Sequence, residues 1–338
     1  MCYTQENIGV NYPITFFCIH MQTILVTGAA GFIGSHVAEL LLKRGNRVLG
    51  VDNLNDYYSV KYKTLNLSLL EKFPNFKFER CEIANYDDIA QVFSNTGISH
   101  VAHLAARAGV RPSIEQPFIY EEANIKGTLN LLELARHSQV ENFVLTSSSS
   151  VYGNSTAIPF KEDDSATDRP ISPYAATKKA TELLAYTYHH LYGLSVNVIR
   201  PFTVYGPRGR PDMAPWLFLE AAIKGTAIKK FGDGSTRRDY TFIDDFVKGF
   251  VAAIDRPFGY EIFNLGNSAT VSLNEFLDIV SRISGKQLNI VQHPMQPGDV
   301  NLTNADISKA MAKLDYCPQT SFAEGMEIFY RWLKDAVL

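Results

Sequence analysis

The 338-residue sequence predicts a doubly wound α/β fold, an open parallel sheet with helices on both faces and a smaller C-terminal lobe. Three observations carry this. Short apolar, β-branched runs alternate with amphipathic helical stretches from Thr23 to Arg200, which implies parallel pairing through right-handed crossovers. The first run ends in a glycine-rich turn that opens a helix. Beyond about Tyr205 the alternation loosens, and turns rich in glycine and proline multiply (GPRGRPD, FGDGSTRRD, MQPGD).

Taken in order, Thr23–Val26 is an apolar strand, and the turn after it leads into a helix at about Ser35–Arg44. Arg47–Val51 is the second strand and Phe76–Glu79 the third. A helix around Tyr86–Phe93 precedes the strand His100–Leu104. One long helix near Phe118–His137 is followed by the strand Asn142–Ser147. A helix at Tyr174–Tyr192 and a strand at Ser195–Arg200 complete the alternation. Helical patterns return at Leu273–Ser284 and Ala323–Ala336. The organisation expected is an extension over residues 1–20, a nucleotide-binding domain over 21–204, and a lobe over 205–338 with segments recrossing to the sheet. No linker or internal repeat separates the last two, so they are expected to fold as one unit.

Residues 1–20 have no Lys or Arg and only a short apolar patch from Ile14 to Ile19, unlike a secretory signal. They read as an upstream extension, because Met21 stands two residues before the first strand. With 32 Lys+Arg against 35 Asp+Glu the net charge is −3, and without a basic run neither nucleic acid nor an anionic membrane surface is an expected partner. No apolar stretch approaches the ~20 residues that span a bilayer. Cys2, Cys18, Cys81 and Cys317 are widely spaced and read as free thiols of a reducing, cytoplasmic compartment. The histidines form no ligand cluster, so no metal is expected.

The turn TGAAGFIG, Thr27–Gly34, places Gly28, Gly31 and Gly34 between a strand and a helix. That spacing permits a tight turn, close approach to a pyrophosphate and close helix–strand packing, and the helix N-terminus offers oriented amides. The second strand ends at Asp52, whose carboxylate can accept both ribose hydroxyls of an adenosine and would repel a 2′-phosphate. A dinucleotide, and NAD over NADP, is the cofactor expected of this Rossmann-type loop.

Tyr174-Ala-Ala-Thr-Lys178 opens a helix, and i, i+4 spacing puts Tyr174 and Lys178 on one face. A free tyrosine, with a pKa of ~10, is a poor base at neutral pH. A nearby ammonium and a positive nicotinamide favour its phenolate. Ser147-Ser148-Ser149-Ser150 ends a strand at the C-terminal edge of the sheet, where such folds bind ligands.

With TGAAGFIG, SSSSVYG ending at Gly153, YAATK, and GDGSTRRDYTFIDD over Gly232–Asp245, residues 21–338 resemble the extended short-chain dehydrogenase/reductase superfamily, specifically its nucleotide-sugar epimerases. The resemblance implies Ser148 as the catalytic hydroxyl, Tyr174 as the base and Lys178 as its partner. Ser149 and Ser150 become substrate contacts. For the cofactor it implies Gly28, Gly31, Phe32, Ile33, Gly34, Asp52, Asn53, Glu82, Ile83, Leu104, Ala105 and Ala106, together with Tyr174 and Lys178. Glu82-Ile83 stands where the superfamily usually has Asp-Ile near the adenine. It also implies a homodimer built on a four-helix bundle from Phe118–His137 and Tyr174–Tyr192, with Tyr186, His189, His190 and Tyr192 on or near the interface.

DNLNDYY (Asp52–Tyr58), AARAGVRPS (Ala105–Ser113) and FTVYGPRGRPDM (Phe202–Met213) look like UDP-glucuronate 4-epimerases. A uronate carries a carboxylate at C5, which calls for a fixed cation and hydroxyl donors. Arg210 can offer a bidentate fork and Thr203 a hydroxyl, with Arg111 a second candidate cation. By resemblance Arg238 binds the diphosphate and Asp299 the uridine ribose. Gln296 stands where galactose epimerases usually carry another arginine, and MQPGD is the usual uronate-epimerase form. The substrate expected is thus a UDP-sugar, and the reaction NAD-dependent C4 epimerisation of UDP-glucuronate through a 4-keto sugar. UDP-glucuronate decarboxylation and galactose epimerisation are the nearest rivals. Dehydratases of the superfamily carry an Asp-Glu pair where Ser148-Ser149 stands, and nucleotide-sensing relatives generally lose the tyrosine or the lysine.

Overall fold

Short runs such as TILVT and NFVLT, buried on both faces, form the strands of a central sheet. In chain order the strands are β1 (Thr23–Thr27), β2 (Arg47–Asp52), β3 (Phe76–Arg80), β4 (His100–His103), β5 (Asn142–Thr146) and β6 (Val196–Pro201). They continue as β7 (Thr203–Tyr205), β8 (Ile228–Phe231), β9 (Arg237–Phe242), β10 (Tyr260–Leu265), β11 (Thr270–Ser272) and β12 (Ile290–His293). The helices begin with α1 (Phe32–Lys43), α2 (Val60–Leu70), α3 (Tyr86–Phe93), α4 (Val110–Glu115), α5 (Pro117–Tyr120), α6 (Gly127–His137) and α7 (Pro173–Tyr192). The remaining helices are α8 (Ala214–Lys224), α9 (Ile243–Asp255), α10 (Leu273–Ser284), α11 (Ser308–Leu314) and α12 (Phe322–Ala336). The computed structural model describes residues 22–94, 96–295 and 300–336, so the extension expected over 1–20, and Gln296 and Asp299, lie outside the described residues.

The seven-stranded sheet is parallel throughout, in the order β10-β6-β5-β4-β1-β2-β3. The chain runs outward from β1 in one direction through β2 and β3, then returns to β4 on the other side. The crevice at the C-terminal ends of β1 and β4 is therefore the switch point where such sheets receive ligands. Side chains alternate across the sheet: Val26 joins Val37, Leu41 and Phe250 on one face, while Leu25 joins Ile89, Leu131 and Val196 on the other.

The helix expected over Phe118–His137 is interrupted. A π-helical segment at Glu121–Lys126 separates α5 from α6. It carries the buried Asn124, whose Oδ1 accepts the Arg107 N–H at 2.7 Å while Nδ2 donates to the Arg107 carbonyl and to Thr177 Oγ1, both at 3.0 Å. The irregular turn thus ties the loop after β4 to α7, a tertiary demand that helical periodicity does not reveal. Gly127 begins α6 because a Cβ there would sit 2.8 Å from the Ile83 side chain.

Five helices were not expected, the short α4 and α11 and three longer ones. VKYKTLNLSLL (α2) has no apolar stripe at helical spacing, and α8 and α9 fall where glycine and proline dominate the neighbouring turns. α9 packs on α1 and beneath β5 and β6, and β10 pairs with β6, so both belong to the central layers although they follow Tyr205 in the chain. The rest of the C-terminal part is a small sheet, β11-β9-β7, and the parallel pair β12-β8. An aromatic cluster of Tyr205, Tyr240, Phe276 and Phe322 packs it together. Among the described residues no helix is long and apolar enough to cross a membrane.

Candidate active site

The glycine turn lies at the mouth of the crevice. Gly28 adopts φ +71°, and a Cβ on it would lie 2.9 Å from the Ala105 backbone nitrogen; one on Gly34 would lie 2.0 Å from the Gly28 carbonyl oxygen. Only glycine lets these backbones approach so closely. No side chain caps the N-terminus of α1, so its first-turn amides are left for an anion, and Phe32, Ile33 and Gly34 line a cavity of about 610 Å³. The residues present therefore fit a dinucleotide.

Asp52 ends β2 in the cavity wall, where Oδ1 accepts the Leu54 N–H at 2.8 Å and lies 3.6 Å from Lys63 Nζ. Asn53 Nδ2 donates to Glu82 Oε2 at 2.6 Å, and Glu82 Oε1 accepts the Ala84 N–H at 3.1 Å. The longer carboxylate at position 82 is thus already tied to two neighbours. Beneath the loop, Thr27 Oγ1 accepts the N–H groups of Leu104 (3.2 Å) and Ala105 (3.1 Å) and is hydrogen-bonded to His103 Nδ1 at 2.8 Å. His103 Nε2 meets Thr128 Oγ1 at 2.8 Å. Burial, with Lys178 nearby, lowers the His103 pKa to about 3, so this ring is a neutral strut.

The same cavity contains Ser148, Ser149 and Ser150 after β5, and Tyr174 and Lys178 on α7. Ser172 caps that helix by accepting the Ala175 N–H at 3.1 Å, and Pro173 occupies its first turn, so the entry that aims Tyr174 is written locally. Ser148 Oγ accepts the Ser150 N–H at 3.1 Å and stands near enough to the Tyr174 hydroxyl to favour its phenolate. Lys178 Nζ donates to the Thr146 carbonyl at 2.7 Å.

Here the electrostatics differ from expectation. Burial pushes the Tyr174 phenol above its ordinary value, and what opposes the rise is Ser148 and the charge of Arg210, not Lys178. Burial also lowers Lys178 to about 8, against the opposing charge of Glu182. The ammonium is held by a backbone carbonyl in a dry setting, where desolvation outweighs the help that i, i+4 spacing suggested. Sequence reasoning missed its buried support. Glu182 pairs with Arg200 (Nε–Oε1 2.9 Å, Nη2–Oε2 2.8 Å) and accepts from Ser147 Oγ at 2.5 Å.

Thr203 and Arg210 line the same cavity, with Arg210 near enough to Tyr174 for its charge to act on the phenol. Arg208 fixes the intervening loop to α1: at φ +62° it donates from Nη2 to Glu39 Oε2 at 2.6 Å, with Nε 3.2 Å from His36 Nε2. Burial and the Arg208 charge lower His36 to about 3. Tyr57, unpredicted although it lies within DNLNDYY, has Arg107 Cζ 4.8 Å and Arg210 Cζ 5.2 Å from its ring centroid. Those are cation–π distances. Arg111 is exposed on α4, its Cζ 6.0 Å from the Phe231 ring, and Arg238 lies on β9 with Nη1 donating to the Arg237 carbonyl at 2.9 Å; neither lines the cavity. Among the described residues no His/Cys/Asp/Glu group could hold a metal.

Residues 25–329 match the family model for GDP-mannose 4,6 dehydratase. A UDP-glucuronate 4-epimerase of Thermodesulfobacterium geofontis is 49% identical over 318 residues, covering 94% of this chain and 98% of the relative. The crystal structure of UDP-glucuronic acid 4-epimerase from Bacillus cereus, in complex with UDP-glucuronic acid and NAD, superposes with a TM-score of 0.87. It is 38% identical and covers 93% of this chain and 99% of its own. UDP-glucose 4-epimerase from Thermotoga maritima, with UDP-glucose, gives 0.86 at 32% identity, covering 94% and 100%.

Proposed function

Because the chain belongs to the GDP-mannose 4,6 dehydratase family of extended short-chain dehydrogenases, we propose that it catalyses NAD-dependent C4 epimerisation of UDP-glucuronate to UDP-galacturonate. The observation that carries this reading is a single cavity. It joins the glycine turn to Ser148, Tyr174 and Lys178 and to Thr203 and Arg210. The relatives named as 4-epimerases of UDP-glucuronate support it.

When bound, NAD supplies reversible hydride acceptance. Gly28, Gly31 and the amides of α1 hold its diphosphate, and Asp52 holds the adenosine ribose. Tyr174, with Ser148 beside it, takes the proton of the C4 hydroxyl as the C4–H bond breaks, and returns it after the 4-keto sugar has turned over. Arg210 tempers the Tyr174 pKa as well as facing the sugar. The keto sugar is a β-keto acid, and losing carbon dioxide requires its C5–carboxylate bond to stand roughly perpendicular to the carbonyl plane. Arg210, Thr203 and the serines hold the carboxylate away from that geometry. In this reading Arg111 and Arg238 serve the nucleotide and sugar from outside the cavity lining, Gln296 and Asp299 are further contacts to the nucleotide, and residues 205–338 form mainly the substrate lobe.

The protein acts as a homodimer, and the apolar side chains left exposed on α5, α6 and α7, among them Phe118 (84%), Leu183 (59%) and Leu191 (60%), support helix packing between copies. The free thiols Cys81 and Cys317 suit a cytoplasmic setting.

Incubation with UDP-glucuronate and no added cofactor, followed by product identification, tests the reading. UDP-galacturonate is expected. UDP-xylose would make the protein a decarboxylase, and turnover of UDP-glucose alone would overturn the uronate assignment.

A further inference from the structure

Arg210 is the residue the reading above assigns to the sugar carboxylate, yet its guanidinium already holds one. Nε donates to Asp212 Oδ1 at 3.0 Å and Nη2 to Oδ2 at 2.5 Å, a side-on fork of the kind a carboxylate ligand makes. Nη2 also lies 3.4 Å from Tyr57 Oη, and the Tyr57 ring supports the guanidinium face. The Arg210 carbonyl accepts the Met213 N–H at 3.2 Å, closing the turn that carries both charges. The two partners are unequally placed. The Arg210 side chain is 20% exposed and lines the cavity, whereas that of Asp212 is 42% exposed and does not. Asp212 can turn into water at little cost, because an ion pair with one partner so exposed contributes little. A uronate anchored by its nucleotide meets a guanidinium whose charge and side-on fork Asp212 already holds, so the pair as it stands attracts it less than a free Arg210 would.

We infer that Asp212 is a specificity-determining residue: its carboxylate occupies Arg210 in place of the sugar carboxylate and is displaced by it. This rests on the proposed function. A uronate therefore binds in competition with Asp212. A sugar with a neutral C6 binds beside the intact pair, where Asp212 keeps Arg210 compensated. The charge at position 212 sets the balance between the two substrate classes, pulling it toward neutral sugars.

The test is the affinity of NAD-loaded protein for UDP-glucuronate, UDP-glucose and UDP, measured by calorimetry for the parent and for Asp212→Asn. Removing the carboxylate that competes for Arg210 is expected to tighten UDP-glucuronate about fivefold. UDP-glucose should be unchanged or weaker, and UDP unchanged. Asp212→Glu, which keeps the charge, should retain the parent ratio, and Asp212→Ser gives a second neutral side chain if the Asn variant does not fold. Weaker UDP-glucuronate with UDP binding intact would make Asp212 a fixed strut for Arg210 and overturn the inference. An unchanged ratio of the two sugars would overturn it as well. If the parent binds UDP but neither sugar nucleotide better, it is the proposed function that fails.

Discussion

Replacing Glu182 by Leu leaves Arg200 as a buried cation without its counter-ion. The two side chains are 1% and 0% exposed as residues, and both arms of the guanidinium fork end on the carboxylate. Nη1 reaches Tyr152 Oη at 2.9 Å and the Glu162 carbonyl at 3.0 Å, neutral acceptors that cannot balance the charge. Breaking such a pair from one side costs about 3–5 kcal/mol, against about 0–1 kcal/mol for an exposed pair such as Arg331–Glu327. At roughly 2–4 °C per kcal/mol for a chain of this size, Tm should fall by about 10 °C. Arg200→Met should cost less, because Glu182 keeps Lys179 Nζ at 3.7 Å and the charge of Lys178 nearby. The double variant removes both charges, and Tyr152 keeps its bond to Asn264 Oδ1 at 2.7 Å. Ser147 Oγ, the Glu162 carbonyl and Lys179 each lose one partner, so the loss should shrink to about 1–3 kcal/mol. Urea denaturation of the four proteins closes the cycle. Strictly additive losses, or single losses under about 1 kcal/mol, would refute the claim that the buried pair acts as a unit.

Lys178 titrates near 8 in the fold and at its ordinary 10.5 in the unfolded chain, so between those values the unfolded state binds the extra proton and stability rises with pH. Lys178→Met should therefore exceed the parent in stability by about 3 kcal/mol below pH 8. That gap should close by about pH 10.5, and denaturation at several pH values that found a constant gap would contradict it. Gly34→Ala drives a methyl into the Gly28 carbonyl, with the ideal Cβ at 2.0 Å. It should cost roughly 1–3 kcal/mol and weaken NAD binding, and an unaltered melting curve and NAD titration would rule out the close approach. Arg210→Ala should raise the fraction of UDP-pentose among the products from UDP-glucuronate. If it releases no more than the parent enzyme, the restraint assigned to Arg210 is wrong.

Elements whose cues are local were legible from the chain. α10 runs over Leu273–Ser284, as expected, with Ser272 and Glu275 forming a capping box in front of a strong apolar stripe. Tyr174 and Lys178 meet the same cavity because i, i+4 spacing is a property of any helix. The glycine turn was equally plain, since Gly28 and Gly34 permit approaches no other residue allows. α2 was not legible, because its buried positions, though spaced i, i+3, i+4, i+7, carry the polar Lys63 and Asn66 beside Leu67 and Leu70, so no apolar stripe shows. Nor was the π-helical segment, whose Asn124 answers to Arg107 and Thr177.

The alternation of strands and helices, the glycine turn and the residues of the proposed Ser-Tyr-Lys chemistry were legible in the sequence by itself, because they are patterns of residue type and spacing along the chain. Tertiary structure alone decided the charge state around that chemistry. Lys178 spends its ammonium on the Thr146 carbonyl, and Tyr174 takes its electrostatic help from Ser148 and Arg210. The Arg210 fork is shared with Asp212 above the ring of Tyr57, a partner 153 positions away. A pKa and the free edge of a guanidinium are set by burial and by whichever groups the fold brings within a few ångströms, and spacing along the chain carries neither.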